Sequence, residues 1–332
     1  MADAILILVL TGPTASGKER LALALAERLD GEIVSADSMK VYRGLDVGTA
    51  KASRAQRHAM PHHAVDAADP DETFSAARWL ALAEGAIADI HARGRAPIVS
   101  GGTPFYLKAL LEGLFEGPQA DPALRRRLRA EADERGSGHL HERLAAVDPA
   151  AAERIHPNDL RRIVRALEVY EKTGRPISAL QRQWGERRPQ YRPLLVAICR
   201  RRDDLTRRIT ERAQRMLDEG LVDEVRRLTE QYGQLAKGPR QALGYAEALA
   251  YLAGDLSEDD LPAAIVAHTR QFARRQMTWI KRFDGVRWLE AGPETPTDDL
   301  ANTVETWWRR HTAEDSGLTQ SRKSAEDTNG EK

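Results

Sequence analysis

The chain has 332 residues, 42% hydrophobic and 30% charged, and its 50 lysines and arginines balance 50 aspartates and glutamates. That length holds one large α/β core plus an insertion or a second small domain. Zero net charge argues against a free basic tail that binds nucleic acid indiscriminately. No apolar run reaches the length of a membrane span. The short run at 4–10 lacks a basic flank and leads straight into a glycine motif, so no signal peptide is expected; Asp3, ahead of any Arg or Ser, speaks against a transit peptide. A cytoplasmic protein is expected. The single cysteine, Cys199, excludes an internal disulfide or a zinc site of several thiolates, and its apolar neighbours predict burial.

Residues 4–11, AILILVLT, form a continuous apolar run of strand length, the pattern of a strand covered on both faces. A glycine-rich turn follows at 12–17. From Lys18 a helix is predicted, with Leu21, Leu25 and Leu29 on one stripe and Gly31 ending it. Residues 32–36 read as a second strand with Asp37 at its carboxyl end. An alanine-rich helix covers 74–91, and a third strand at 97–100 runs into Gly101-Gly102-Thr103. This alternation predicts a parallel sheet flanked by helices on both faces, with ligands beyond the carboxyl ends of its strands. Lys18, Asp37 and Thr103 all fall there.

From about 115 to 193 the strands stop and short helices rich in Arg, Glu and Ala take over, which predicts a helical insertion domain. A strand returns at 194–198, and long helices follow at 203–219, 221–231 and 263–283. The core is therefore expected at 1–114 and 194–312. The polar segment 313–332 lacks apolar periodicity and is expected to be disordered. His62 and His63, beside Asp66, are read as structural, because adjacent side chains on a regular element point in different directions.

Residues 12–18, Gly12-Pro13-Thr14-Ala15-Ser16-Gly17-Lys18, have the spacing of a phosphate-binding loop. Inward backbone N–H groups and a helix N-terminus cradle a diphosphate, and Lys18 reaches its outer phosphate. The strand before and the helix after give the context the motif needs, so a P-loop NTPase-like core is expected. The next position normally carries Ser or Thr, whose hydroxyl holds magnesium. Here it is Glu19, which either ligates Mg2+, directly or through water, or faces solvent in the favourable first turn of the helix. The loop alone is equally at home in an ATP-binding kinase. Asp37 by itself is either a base, a helix-capping acid or a magnesium-linked carboxylate.

Further segments bear on that choice: SADSMKVYRGLDVGTAK at 35–51, SGGTPFYLKALLEGL at 100–114, NDLRRIVRALEVYEKTG at 158–174, RRITERAQRMLDEGLVDEV at 207–225, RQALGYAEAL at 240–249 and TRQFARRQMTWIKRF at 269–283. With the glycine loop, their order and spacing resemble the bacterial tRNA dimethylallyltransferase (tRNA isopentenyltransferase) family from Leu10 to about Phe283, and only Glu19 departs at a position that matters. The resemblance implies transfer of the dimethylallyl group of dimethylallyl diphosphate to the N6 amine of the adenine 3′ of the anticodon, with Mg2+, in a monomeric enzyme. It implies Asp37 as general base, Thr103 on the bridging oxygen, and Lys18 and Arg212 on the diphosphate.

The chemistry agrees with that implication. The adenine amine is a weak nucleophile and needs a base. The allylic C–O bond breaks towards a resonance-stabilised cation, so electrostatic stabilisation of the leaving diphosphate carries much of the reaction. The target base must also leave its stack.

By the same resemblance, tRNA contacts are expected from Asp37, Ser38, Met39 and Lys40, from Thr103 and Arg125, from Arg161, Arg162, Ile163, Val164 and Arg165, and from segments 238–243 and 270–277, with Arg240, Gln241, Arg270 and Arg274 foremost. Independently, Arg161 and Arg165 stand four residues apart on one helix face, above an apolar stripe of Leu160, Val164 and Leu167. Arg270 and Arg274 share another exposed stripe, whereas Phe272, Trp279 and Phe283 recur at core spacing. The insertion is the part that in the family grips the anticodon stem-loop. Three alternatives remain: a small-molecule kinase, an isopentenyltransferase acting on free AMP or ADP, and a non-catalytic RNA-binding protein with a vestigial loop.

Overall fold

The computed structural model describes residues 4–115, 117–181 and 187–329. Its sheet has six strands, β1 (Ile5–Thr11), β2 (Gly31–Ser35), β3 (His62–His63), β4 (Ala96–Ser100), β5 (Tyr191–Cys199) and β6 (Arg287–Glu290). They lie in the order β3-β2-β4-β1-β5-β6, and every pairing is parallel. Parallel strands need crossovers, and these place helices on both faces. Ile7 and Val9 of β1 point into one apolar layer with Val34, Val99, Trp79, Ile87 and Leu107. Leu8 and Leu10 point into the other with Leu21, Leu25, Val196, Val304 and Trp308. The uninterrupted apolar run of β1 is thus divided residue by residue between two cores.

The chain forms two compact units, one of Met1–Leu111 with Pro189–Lys332 and one of Glu112–Arg188. The return to the sheet comes earlier than 194, since Tyr191, Arg192 and Pro193 already pair with Ile5, Leu6 and Ile7. Pro193 is tolerated because β6 joins β5 only from Val196 onward, which leaves that edge open. The smaller unit is helical. Leu128, Leu140, Leu144, Ile163, Val164, Leu167 and Val169 make its core.

Two edge strands, β3 and β6, were not anticipated. Both are short, and β6 buries only Leu289. His62 Nδ1 meets Met60 O at 2.7 Å and His63 Nε2 meets Glu32 Oε2 at 2.7 Å, so the two rings serve different partners. Cys199 is half-buried at the end of β5. The last helix runs Thr297–Asn329. No proline interrupts it. The expectation for 330–332 lies outside the described residues.

Candidate active site at the carboxyl end of the sheet

The phosphate loop leaves β1 and enters the helix Lys18–Arg28. Ala15 and Gly17 take left-handed backbone angles, φ 64° and 96°. Glycine is the residue that reaches this region without a Cβ penalty, so Gly17 suits the cap of that helix. Such alternation turns successive N–H groups into a concave anion nest. The N–H groups of Gly17 and Lys18 meet no acceptor among the described residues. Ser16 Oγ is likewise buried without a partner among them.

Positive charge is concentrated around the loop. Lys18 is 6% exposed. Burial lowers its pKa to about 8, with Glu19 and Asp37 acting in the opposite sense. From the helix Arg202–Asp218, Arg208 Nε donates to Ala15 O at 2.9 Å and Arg212 donates to Thr14 Oγ1 and to Thr49 O, both at 3.3 Å. Arg200, at the end of β5, donates to Ser16 O at 2.7 Å and is neutralised by Asp204 at 2.9 Å. Arg212 was anticipated. Arg208 was not, although its spacing of four from Arg212 places both on one helix face.

The tips of β2 and β4 are tied together beside this loop. Thr103 N donates to Ala36 O at 3.1 Å. The Thr103 hydroxyl accepts from Ser38 N at 3.0 Å and lies 3.3 Å from Ser38 Oγ. Asp37 Oδ1 accepts from Met39 N at 2.8 Å and from Lys40 N at 3.4 Å, an Asx turn that fixes the carboxylate. Its Oδ2 meets no donor among the described residues. Lys18, Glu19, Asp37, Thr103 and Arg212 therefore gather at one end of the sheet.

The carboxylate of Glu19, which stays 40% exposed, lies 3.0 Å from Lys40 Nζ. Burial raises its pKa, but Lys40 and Lys18 outweigh burial and hold it below the usual carboxylate value. Among the described residues no three His, Cys, Asp or Glu side chains converge on a metal site. The few protein oxygens at the loop suit a magnesium ion carried mainly by phosphate oxygens and water, and do not suit an all-protein cage.

The anticipated RNA-facing residues divide. Arg240, Gln241, Arg270 and Arg274 are exposed. The turn at Gly238 lies against Tyr42 and Met39, which draws the 238–241 segment towards the Asp37–Lys40 turn. Phe283 packs on the core, and Trp279 is half-buried with Arg282 near its ring.

In the helical unit, Arg161 and Arg162 are exposed, and Arg162 pairs loosely with Asp159 at 3.4 Å. Ile163 and Val164, at 0% and 2% exposure, are core residues. Side-chain contact with RNA is corrected for both, because an amphipathic helix in this register must turn them inward. Arg125 and Arg165 converge on Glu168, at 2.7 and 2.5 Å. Sequence reading missed this fully buried carboxylate, which also accepts from Asp121 N at 2.7 Å. Burial pushes the pKa of Glu168 up, but hydrogen bonds from Arg125, Asp121 N–H and Arg165 prevail and hold it at about 2.

A parallel sheet with a glycine anion loop at the carboxyl end of a central strand defines a P-loop-like α/β protein. Residues 40–283 match the IPP transferase family. The chain is 51% identical over 300 residues to a tRNA dimethylallyltransferase of Anaeromyxobacter dehalogenans, an alignment covering 90% of this chain and 99% of that one. It is 49% identical over 284 residues to one of Geobacter metallireducens, covering 86% and 92%. The solved tRNA isopentenylpyrophosphate transferase of Bacillus halodurans superposes with a TM-score of 0.71 at 35% identity, over 95% of this chain and 99% of that one. A eukaryotic dimethylallyltransferase acting on tRNA gives 0.76 at 29% identity, over 91% and 78%. The chain belongs to the IPP transferase family, whose curated members here are tRNA dimethylallyltransferases.

Proposed function

We propose that the protein transfers the dimethylallyl group of dimethylallyl diphosphate to the N6 amine of the adenine 3′ of the tRNA anticodon and releases diphosphate. The observation that carries this reading is the gathering of an anion nest, the cations Lys18, Arg208 and Arg212, and the fixed carboxylate of Asp37 at one end of the sheet. A kinase needs the nest but no base for an aromatic amine, and it leaves the exposed arginines of two helices idle.

The loop N–H groups and Ser16 Oγ hold the diphosphate of the donor. Lys18 and Arg212 stabilise the charge that gathers on it as the allylic C–O bond breaks, and Thr103 donates to the bridging oxygen. Asp37 takes one proton from the adenine amine as the C–N bond forms. A magnesium ion bound with the diphosphate would supply further neutralisation of phosphate charge, and Glu19, next to Lys18, is the carboxylate that would face it. The helical unit offers Arg161 and Arg162, with Arg125 and Arg165 braced on Glu168, to the anticodon stem-loop. Arg240, Gln241, Arg270 and Arg274 offer further backbone contacts. The enzyme is read as a cytoplasmic monomer.

Incubation with dimethylallyl diphosphate, magnesium and, in turn, unmodified tRNA, AMP, or ATP with small acceptors separates the readings. Mass spectrometry of the nucleosides should find dimethylallyladenosine from tRNA alone. Modification of AMP instead, or phosphoryl transfer from ATP, would overturn the proposal.

A further inference from the structure

The helix Leu261–Ile280 buries a stripe of Leu261, Ile265, Thr269, Ala273, Gln276 and Ile280. Gln276 is out of place there: a carboxamide, 3% exposed, on an otherwise largely apolar face. A buried amide is tolerated when its donors and acceptors are met, and Gln276 meets its partners on two different segments. Its Oε1 accepts from Thr14 N of the phosphate loop at 2.8 Å. Its Nε2 donates to Gly102 O, in the turn that carries Thr103, at 2.5 Å. The fit is close, since a Cβ on Gly102 would come within 2.4 Å of Nε2 and 3.4 Å of Lys18 Nζ. Gly102 is therefore a place where only a missing side chain admits the bridge.

We propose that Gln276 is a positioning residue that sets the distance between the phosphate loop and the turn bearing Thr103. It acts through the two segments it bridges, Thr14 and Gly102. Its bridge takes the Thr14 N–H out of the anion nest, leaves the inner N–H groups to the diphosphate, and holds Thr103 in register with Lys18. The same helix exposes Arg270 and Arg274 on its outer face, so one rigid element carries both the brace and two of the exposed cations.

The inference rests on the transfer reaction proposed above. It is tested with the full chain, dimethylallyl diphosphate and unmodified tRNA. Gln276→Met keeps length and volume but makes neither hydrogen bond. The expected result is a fall in kcat of roughly a hundredfold, as for a misplaced reacting group, with tRNA Kd close to that of the parent and a Tm lowered by several degrees, since the freed Thr14 N–H and Gly102 O lose their partner. Gly102→Ala reaches the same bridge from the other side by displacing the carboxamide, and should lower kcat with the same pattern. It remains informative if Gln276→Met fails to fold. Parental kcat in a folded variant of either kind overturns the positioning role. No transfer by the parent chain overturns the function proposal instead, so the two failures are distinct.

Discussion

The ammonium of Lys40 lies 3.0 Å from the carboxylate of Glu19, the residue that follows the phosphate-loop lysine. Lys40 is 5% exposed, so it needs that partner, and the carboxylate is committed before any metal arrives. Glu19→Ala should leave a buried cation unpaired and lower stability by roughly 1–3 kcal/mol, seen as a lower midpoint in chemical denaturation. The magnesium concentration that half-activates transfer should change by less than about threefold, because the ion rides on the diphosphate. A shift of tenfold or more would make Glu19 a metal ligand.

Asp37→Asn keeps the size of the side chain and an oxygen for Met39 N, yet it cannot accept the proton. Single-turnover transfer should fall by about 10³-fold, while tRNA Kd stays within about twofold. Near-parental turnover would remove Asp37 from the base role.

Lys18 carries a pH signature. Burial lowers its pKa to about 8, so the free enzyme loses this charge as pH rises through that value. A diphosphate needs the ammonium form. Donor kcat/KM should therefore be level below about pH 7 and fall tenfold per unit above about 8. At saturating donor the bound anion holds the proton in place, so kcat should bend only at higher pH. A donor kcat/KM flat to pH 9.5 would contradict the role given to Lys18.

Glu168 braces Arg125 and Arg165 from inside the helical unit. Its carboxyl has a pKa near 2, below the ordinary 4.5. The stability it contributes is thus fully present above about pH 4.5 and is lost as pH falls towards 2. Glu168→Gln should cost roughly 2–4 kcal/mol near neutrality and flatten that acid dependence. It should also weaken tRNA binding, since both arginines lose their brace. Unchanged tRNA affinity would limit Glu168 to a structural part.

Much of the fold was legible because its signals are local. The apolar run of β1, the glycine loop and the strand ends at Asp37 and Thr103 each announce themselves within a few residues. The edge strands β3 and β6 were not legible. Two and four residues carry too little pattern, and pairing with a longer neighbour fixes them. Gln276 and Glu168 escaped for a different reason: Thr14 lies 262 positions from the one and Arg125 43 positions from the other. In both cases the available signal was a polar residue at a core position of an amphipathic helix. Ile163 and Val164 show the converse, for their place in a motif suggested contact while their place on the helix put them in the core.

The central claim concerns where a nucleobase meets a carboxylate. A structure of the protein with an anticodon stem-loop and a non-reactive donor analogue measures it directly. The adenine amine nitrogen should lie within about 3.2 Å of Asp37, with the analogue's diphosphate on the N–H groups of Gly17 and Lys18. An adenine held far from Asp37, or a diphosphate seated away from the loop, would contradict the mechanism.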